Sequence, residues 1–377
     1  MKERLLKIPD KPADAVTDFR ELFLGGCALL DVRAPVEFEK GAFPSAVNLP
    51  LMSDDERHQV GICYKEHGQQ QAIELGASLV TPELQAARVS RWKAFVEANP
   101  DAHLYCFRGG LRSRISQQWL ADAGVRIPLV QGGYKALRSF LISELERLSQ
   151  ALSYTLIGGR TGNGKTLLIE KLGSTVDLEG LAHHRGSSFG NMPEQQPRNI
   201  DFENALSIEL MHLERNGQQR VFVEDEARLI GRVCIPDSFR AVMQAAPLFI
   251  LECELEQRTT NCFDDYVTDL LLRYEILHGT DAGFDVYAEH HRNSLSRIQK
   301  RFGLENYSRA LDLLNTALQA HKDHGDTTHY RPFIQMLLTD YYDPMYDYQI
   351  AQKASRIVFK GSADEIVQAA IDAEHVQ

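Results

Sequence analysis

Tyr154-Thr155-Leu156-Ile157-Gly158-Gly159-Arg160-Thr161-Gly162-Asn163-Gly164-Lys165-Thr166-Leu167-Leu168-Ile169 reads as a buried strand, a glycine-rich turn and the start of an apolar helix. Residues Gly159, Arg160, Thr161, Gly162, Asn163, Gly164, Lys165 and Thr166 satisfy G-x-x-x-x-G-K-[ST] in full, in the strand-to-helix setting that gives this pattern its meaning. Glycines let backbone N–H groups approach a phosphate closely, and the helix N-terminus adds partial positive charge. Lys165 supplies a full charge to terminal phosphates, and the Thr166 hydroxyl is a candidate ligand for Mg²⁺. These eight residues are the expected phosphate- or diphosphate-binding set. Downstream, Arg220-Val221-Phe222-Val223-Glu224 reads as a second buried strand. Glu224 and Asp225 end it where an acid would orient a metal or diphosphate, a solvated strand end being the plain alternative. No Asn-Lys-x-Asp sequence supports guanine specificity.

Upstream of this unit, strand and helix patterns also alternate. Cys27–Val32 and His103–Cys106 read as short strands, and Pro82–Ala98 carries Leu84, Val89, Trp92, Phe95 and Val96 at helical spacing. Alternation of this kind implies an α/β fold with mainly parallel sheets. A helix over 134–152 is expected to join the parts, so the boundary falls within or after it, giving units 1–140 and 141–377. From Ser238 onward the pattern reads as mainly helical, with a late strand at Arg356–Phe359. The expected architecture is therefore an N-terminal parallel-sheet domain, then a phosphate-loop α/β domain with a largely helical C-terminal part.

The 377 residues are 44% hydrophobic and 25% charged, which excludes a mostly disordered chain and leaves room for two cores. The formal charge of −11 argues against a protein that coats nucleic acid nonspecifically. Between Arg88 and Arg138, however, nine bases face three acids, a locally positive stretch. The N-terminus carries no secretory apolar run, no span reaches transmembrane length, and six scattered cysteines form no framework. A cytoplasmic protein without membrane association is expected.

Cys106-Phe107-Arg108-Gly109-Gly110-Leu111-Arg112-Ser113 sits where a strand ends and a helix begins. Its glycines allow successive N–H groups to turn toward one point, and Arg108 and Arg112 add charge. Such a loop holds an oxyanion and favours a nucleophilic cysteine. An inert strand-end cysteine is the bland reading, but it leaves two glycines and two arginines unexplained. Cys106, Arg108 and Arg112 are the candidate catalytic residues. The spacing alone fits both cysteine-dependent phosphatases and sulfur transferases. Elsewhere, His183-His184 is weak as a metal pair, and Asp264, Asp265 and Asp269 match a diphosphate-metal cluster only loosely. No metal site is assigned with conviction. Gly186–Gly190 reads as a loop facing the phosphates or a simple turn. Tyr341–Tyr348 is unusually aromatic, suited to core packing or to stacking on bases.

Asp31-Val32-Arg33-Ala34-Pro35-Val36-Glu37-Phe38, continuing to Pro50, resembles the rhodanese N-terminal signature, and Val130-Gln131-Gly132-Gly133-Tyr134 is similar to that family's closing segment. The resemblance covers about residues 15–138. It implies that Cys106 carries sulfur or selenium, that Arg108 and Arg112 contact the donor, and that Asp31 and Arg33 are mainly scaffold. An insertion around Cys63–Gly68, with Gly76 beyond it, exceeds a minimal rhodanese.

With the phosphate loop following directly, the whole chain resembles the tRNA 2-selenouridine synthase family, also through His184–Gly190 and Tyr341–Pro344. That resemblance implies conversion of wobble 2-thiouridine to 2-selenouridine through an S-geranyl intermediate, with geranyl diphosphate and selenophosphate as co-substrates. It further implies the anticodon arms of Lys, Glu and Gln tRNAs as partners, with a selenophosphate-producing enzyme as a candidate supplier. The alternative is a P-loop small-molecule kinase fused to a cysteine-dependent phosphatase or sulfurtransferase domain.

Overall fold

A computed structural model describes residues 14–374. The chain forms two compact units, one comprising the described residues up to Arg147 with Ile200–His212, the other Leu148–Asn199 with Leu213 onward.

In the first unit, five parallel strands lie in the order β1-β5-β4-β2-β3. They are β1 (Ala15–Val16), β2 (Leu29–Asp31), β3 (Ala46–Asn48), β4 (His103–Tyr105) and β5 (Leu129–Val130). Strands β2 and β4 occupy the middle and pair with each other, and all their side chains are buried except that of the half-buried His103. Helix Pro82–Ala98 begins where Thr81 accepts a hydrogen bond from the Leu84 N–H and Pro82 pre-sets the first turn. It buries Trp92 against Trp119 of helix Leu111–Asp122, with ring centroids 6.1 Å apart, and the Trp92 indole donates to the Leu49 carbonyl at 2.8 Å. The insertion is a pair of helices, Asp54–His67 and Gln69–Leu79. Ser53 and Glu56 form a reciprocal cap at its start.

In the second unit, the parallel order is β12-β11-β6-β8-β7. Here β6 is Ser153–Gly159, β7 Thr175–Val176, β8 Arg220–Glu224, β11 Leu248–Leu251 and β12 Ile357–Gly361. Leu229–Ile230 and Val233–Cys234 form a small separate antiparallel pair, β9 and β10. The strand carrying the phosphate loop is thus central, with β8 and β11 as its neighbours. Helices from Leu255 to Gln352 build a second core around Tyr287, Leu295, Leu314, Tyr330 and Phe333. Two π-helical turns, Asp264–Asp269 and Leu338–Tyr342, interrupt them.

One correction concerns β11. The region after Ser238 reads as mainly helical apart from the late strand, yet Leu248-Phe249-Ile250-Leu251 is a wholly buried strand beside β6. A four-residue apolar run carries no alternation that separates strand from buried helix. Among the described residues no helix is long and apolar enough to cross a membrane.

Candidate functional sites

Cys106 follows β4 directly and is 2% exposed. The loop after it leads into helix Leu111–Asp122, and the segment Gly132-Gly133 closes over its backbone. The Tyr134 N–H donates to the Cys106 carbonyl at 2.9 Å and the Lys135 N–H to the Phe107 carbonyl at 3.0 Å. Gly133 has φ +59°, and a Cβ there would strike the Cys106 carbonyl oxygen, so the close approach requires glycine.

Arg112 does not point freely at the cysteine. Its guanidinium holds Glu37 in a fork, with nitrogen–oxygen distances of 2.5 and 3.1 Å, and Arg57 reaches the same carboxylate at 3.2 Å. Burial works to raise the Glu37 pKa, but the Arg112 bond and charge, the Ala34 N–H and Arg57 together bring it below the usual glutamate value. For Arg112, burial opposes charge, and Glu37, Cys106 and Asp31 outweigh it. Arg108 is exposed, its guanidinium 5.8 Å from the Phe107 ring centroid. Asp31 and Arg33 form a buried ion pair at 2.6 Å, and Arg33 also donates to the Gly41 carbonyl at 2.8 Å and lies 3.9 Å from the Tyr134 ring centroid. Asp31 and Arg33 thereby brace the loop's surroundings. Cys106, Arg108 and Arg112 all line one cleft of about 1000 Å³, whose opposite wall is the helical insertion.

The positive stretch is partly consumed by pairing. Arg88 binds Glu56 at 2.6 Å, Arg112 binds Glu37, and Arg138 binds Glu203. Arg91, Lys93, Arg108, Arg126 and Lys135 are exposed.

The phosphate loop occupies the C-terminal end of β6. Gly162 has φ +80°, and a Cβ there would lie 2.7 Å from the Cys262 sulfur and 2.8 Å from the Arg258 carbonyl oxygen. Asn261 donates to the Gly162 carbonyl at 2.8 Å, and buried Arg258 donates to the Thr161 carbonyl at 3.0 Å. Asn163 donates to the Leu251 carbonyl, tying the loop to β11. Arg160 is paired outward with Asp347 at 2.7 Å. Thr166 is exposed in the first turn of helix Lys165–Leu172.

Lys165 faces Tyr346, its ammonium 5.9 Å from the ring centroid. Burial works against the lysine's charge, but Tyr346, Glu179, Glu226 and Glu224 raise its pKa above the usual value. Burial pushes Glu226 up to about 8, with the Glu179 charge adding to it, and the two carboxyls share a hydrogen bond. Glu224 is fully buried, accepts from the Leu178 N–H at 2.7 Å, and is driven well above the glutamate range by burial and by Asp177 and Glu179. Among the described residues its other oxygen has no hydrogen-bond partner. Asp225, by contrast, is bound by Lys353 at 2.6 Å. Thus Glu224 and Asp225 diverge, and neither is a solvated strand end.

Gly186 packs beside the Glu179 and Glu226 carboxylates, and Arg185 is held by Asp265 and Asp269. The latter two aspartates thereby anchor the Gly186–Gly190 loop. His183 Nδ1 lies 3.2 Å from the Gln195 carbonyl oxygen, and burial lowers the pKa of His184. Among the described residues no group of three or more His, Cys, Asp or Glu is arranged to hold a metal. Were Mg²⁺ bound at the phosphate loop, the exposed Thr166 hydroxyl would be its donor there, whereas burial disfavours the charged form of Glu224 that a cation needs.

The aromatic segment divides its work. Tyr341 and Tyr342 pack in the helical core, Asp343 forks onto Arg258 at 2.6 and 3.0 Å, and Tyr346 and Asp347 meet the phosphate loop. Sequence marks the stretches that hold Glu37 and Tyr346 but neither residue by itself. Glu226 adjoins the acid pair Glu224 and Asp225, whereas Glu179 is brought in by the short helix Leu178–Leu181 with no motif to mark it.

The rhodanese-like domain family matches residues 15–139, and the family described as the tRNA 2-selenouridine synthase AAA domain matches residues 152–376. A tRNA 2-selenouridine synthase of Marinobacter nauticus is 48% identical over 351 residues, covering 93% of this chain and 96% of that protein. One from Hahella chejuensis is 50% identical over 348 residues, covering 92% and 91%. The chain belongs to the tRNA 2-selenouridine synthase family. Members of the tRNA 2-selenouridine synthase family that match at this level do so across both units, so both the Cys106 loop and the phosphate loop fall within the shared region.

Proposed function

We propose that the chain is a transferase that converts wobble 2-thiouridine of tRNA into 2-selenouridine, through S-geranyl-2-thiouridine. The observation that carries the reading is near full-length similarity to proteins named for that product, joined to a cysteine loop and a phosphate loop in one chain. In the first step the thiocarbonyl sulfur attacks the allylic carbon of geranyl diphosphate, a C–S bond forming as the C–O bond to diphosphate breaks. Lys165 and the amides of Gly159–Thr166 take up the charge of the departing diphosphate, so no nucleotide need be hydrolysed. Mg²⁺ would assist there by neutralising the same charge.

Alkylation turns a poor leaving group into a thioether on an electrophilic carbon. Hydrolysis of selenophosphate gives phosphate and selenide, which attacks the Cys106 sulfur of a mixed disulfide with a small thiol, expelling that thiolate and leaving a perselenide whose terminal selenium then attacks that carbon. A C–Se bond forms, the C–S bond breaks, and geranylthiolate leaves. A thiolate attacking the Cys106 sulfur breaks the S–Se bond, releases the selenium with the nucleoside and restores the mixed disulfide for the next turnover. Arg108, exposed beside Cys106, is placed to bind the anionic donor, while Arg112 acts through Glu37. The substrates are the anticodon arms of Lys, Glu and Gln tRNAs in the cytoplasm, with a selenophosphate-producing enzyme upstream. The wobble base must be splayed out to reach either site.

The test is mass spectrometry of nucleosides from a 2-thiouridine anticodon stem-loop incubated with the protein and geranyl diphosphate, then selenophosphate. A geranyl adduct that converts to selenouridine is expected. Unchanged RNA with folded, RNA-bound protein overturns the reading, and ATP turnover without RNA would favour a small-molecule kinase.

A further inference from the structure

The cleft at Cys106 is larger and more apolar than an anion site requires. Its volume of about 1000 Å³ lies at the upper end of the roughly 300–1,000 Å³ usual for small-molecule pockets. One part is polar, near Lys40, Arg57 and Arg108. The remainder is walled by Met52, Val60, Ala72 and Ile73 from the insertion side and by Ile115 and Trp119 behind the loop. Ile62 and Tyr64, 43% and 57% exposed, extend this apolar surface. Helix Asp54–His67 buries no residue completely, so its Val60, Ile62 and Tyr64 are not spent on a core, whereas Met52, Ile115 and Trp119 also pack in the core of this unit.

The proposed reaction says what such a wall would meet. The bond that breaks joins the nucleoside carbon to the thioether sulfur, and the alkyl chain is attached to that same sulfur. When the carbon is within reach of selenium on Cys106, the first carbons of the chain must lie beside Cys106 as well. The other cavities suit it poorly. An apolar void beside Thr161 measures about 30 Å³, room for about one water. The cleft of about 1200 Å³ along the phosphate loop carries Glu252, Glu254, Asp364 and Glu365.

We infer that the apolar wall formed by the helical insertion binds the aliphatic chain of the S-alkylated nucleoside during selenium transfer, making Cys106 selective for a thioether with a long branched chain. This rests on the reaction proposed above and adds to it the location and chemical class of the leaving group's subsite.

The experiment compares selenium transfer to S-geranyl and S-methyl 2-thiouridine stem-loops by the full-length protein, its Ala72→Phe variant and its Ile62→Glu variant. The exposed position of Ile62 keeps folding tolerant where Ala72→Phe fails. One methylene in an apolar pocket is worth roughly tenfold or more in discrimination, so the geranyl-to-methyl ratio of kcat/KM should fall at least about tenfold in a folded variant. An unchanged ratio overturns the inference. In parallel, wild-type protein is photolysed with a stem-loop whose S-alkyl chain ends in a diazirine. Labelling within residues 51–80 or 106–119 supports the subsite, and labelling confined to other segments overturns it. Absence of selenation of the S-geranyl RNA by wild type would sink the reaction, while the cross-link still decides where the chain binds.

Discussion

Glu226 and Glu179 share a hydrogen bond next to Lys165, and burial with mutual repulsion leaves Glu226 with a pKa of about 8 against an ordinary 4.5. Between these values the folded protein binds a proton that the unfolded chain has released, so folding stability falls as pH rises through that window. Glu226→Gln removes the titration, and the decline in Tm between pH 5 and pH 8 should flatten in the variant. A decline as steep as that of wild type would show that the pair is not the source. Sequence marks this neighbourhood through Glu224 and Asp225 but not how the two part, Glu224 turning inward and Asp225 meeting Lys353. Burial is a tertiary property, and a run of three acids after a strand gives no sign of which one turns inward. The eight loop residues were legible because their constraint is local. Backbone approach to a phosphate needs glycines at fixed spacing, whatever surrounds them.

At the scale of elements, the helix Asp343–Gln352 is fastened to the phosphate loop by two ion pairs of very different worth. Arg258 is 2% exposed, forks onto Asp343 and also holds the Thr161 carbonyl. Asp343→Ala leaves that guanidinium buried without its anion, and urea unfolding should show a loss of about 3–5 kcal/mol. Arg160 and Asp347 are 41% and 51% exposed, and Asp347→Ala should cost about 0–1 kcal/mol by the same measurement. Comparable losses would contradict this ranking. The segment's aromatic content is plain in the sequence, but its pairings span 85 and 187 residues and no local pattern encodes them. The same holds for β11, whose four apolar residues acquire meaning only between β6 and β12, and for the helical insertion, visible as surplus sequence but not as a cleft wall.

At the scale of the whole molecule, a chain of charge −11 that acts on tRNA as proposed would bind that polyanion through a restricted face. Of the positive stretch between Arg88 and Arg138, the exposed Arg91, Arg126 and Lys135 are available to phosphates, whereas Arg88 and Arg138 are spent on Glu56 and Glu203. Replacing Arg126 or Lys135 by alanine should weaken tRNA binding and reduce the slope of log K against log salt by about one each, measured by filter binding across salt concentrations. An unchanged slope would place the RNA on another face.

The division of labour between the two units gives the sharpest expectation. In the proposed reaction Lys165 stabilises a departing diphosphate and has no part in delivering selenium, while Cys106 carries selenium and has no part in alkylation. Lys165→Ala should therefore abolish geranylation of 2-thiouridine RNA yet still selenate RNA supplied already geranylated. Cys106→Ala should geranylate normally and accumulate the thioether. Nucleoside mass spectrometry on both substrates reads each step separately, and circular dichroism establishes that the variants fold. The two proposed chemistries would use different leaving groups, diphosphate oxygen in one and thiolate sulfur in the other, which is the reason to expect separate sets of charges. Two folded variants that each lose both steps would mean that a single site performs the reaction, and the assignment of Lys165 and Cys106 to separate steps would fall.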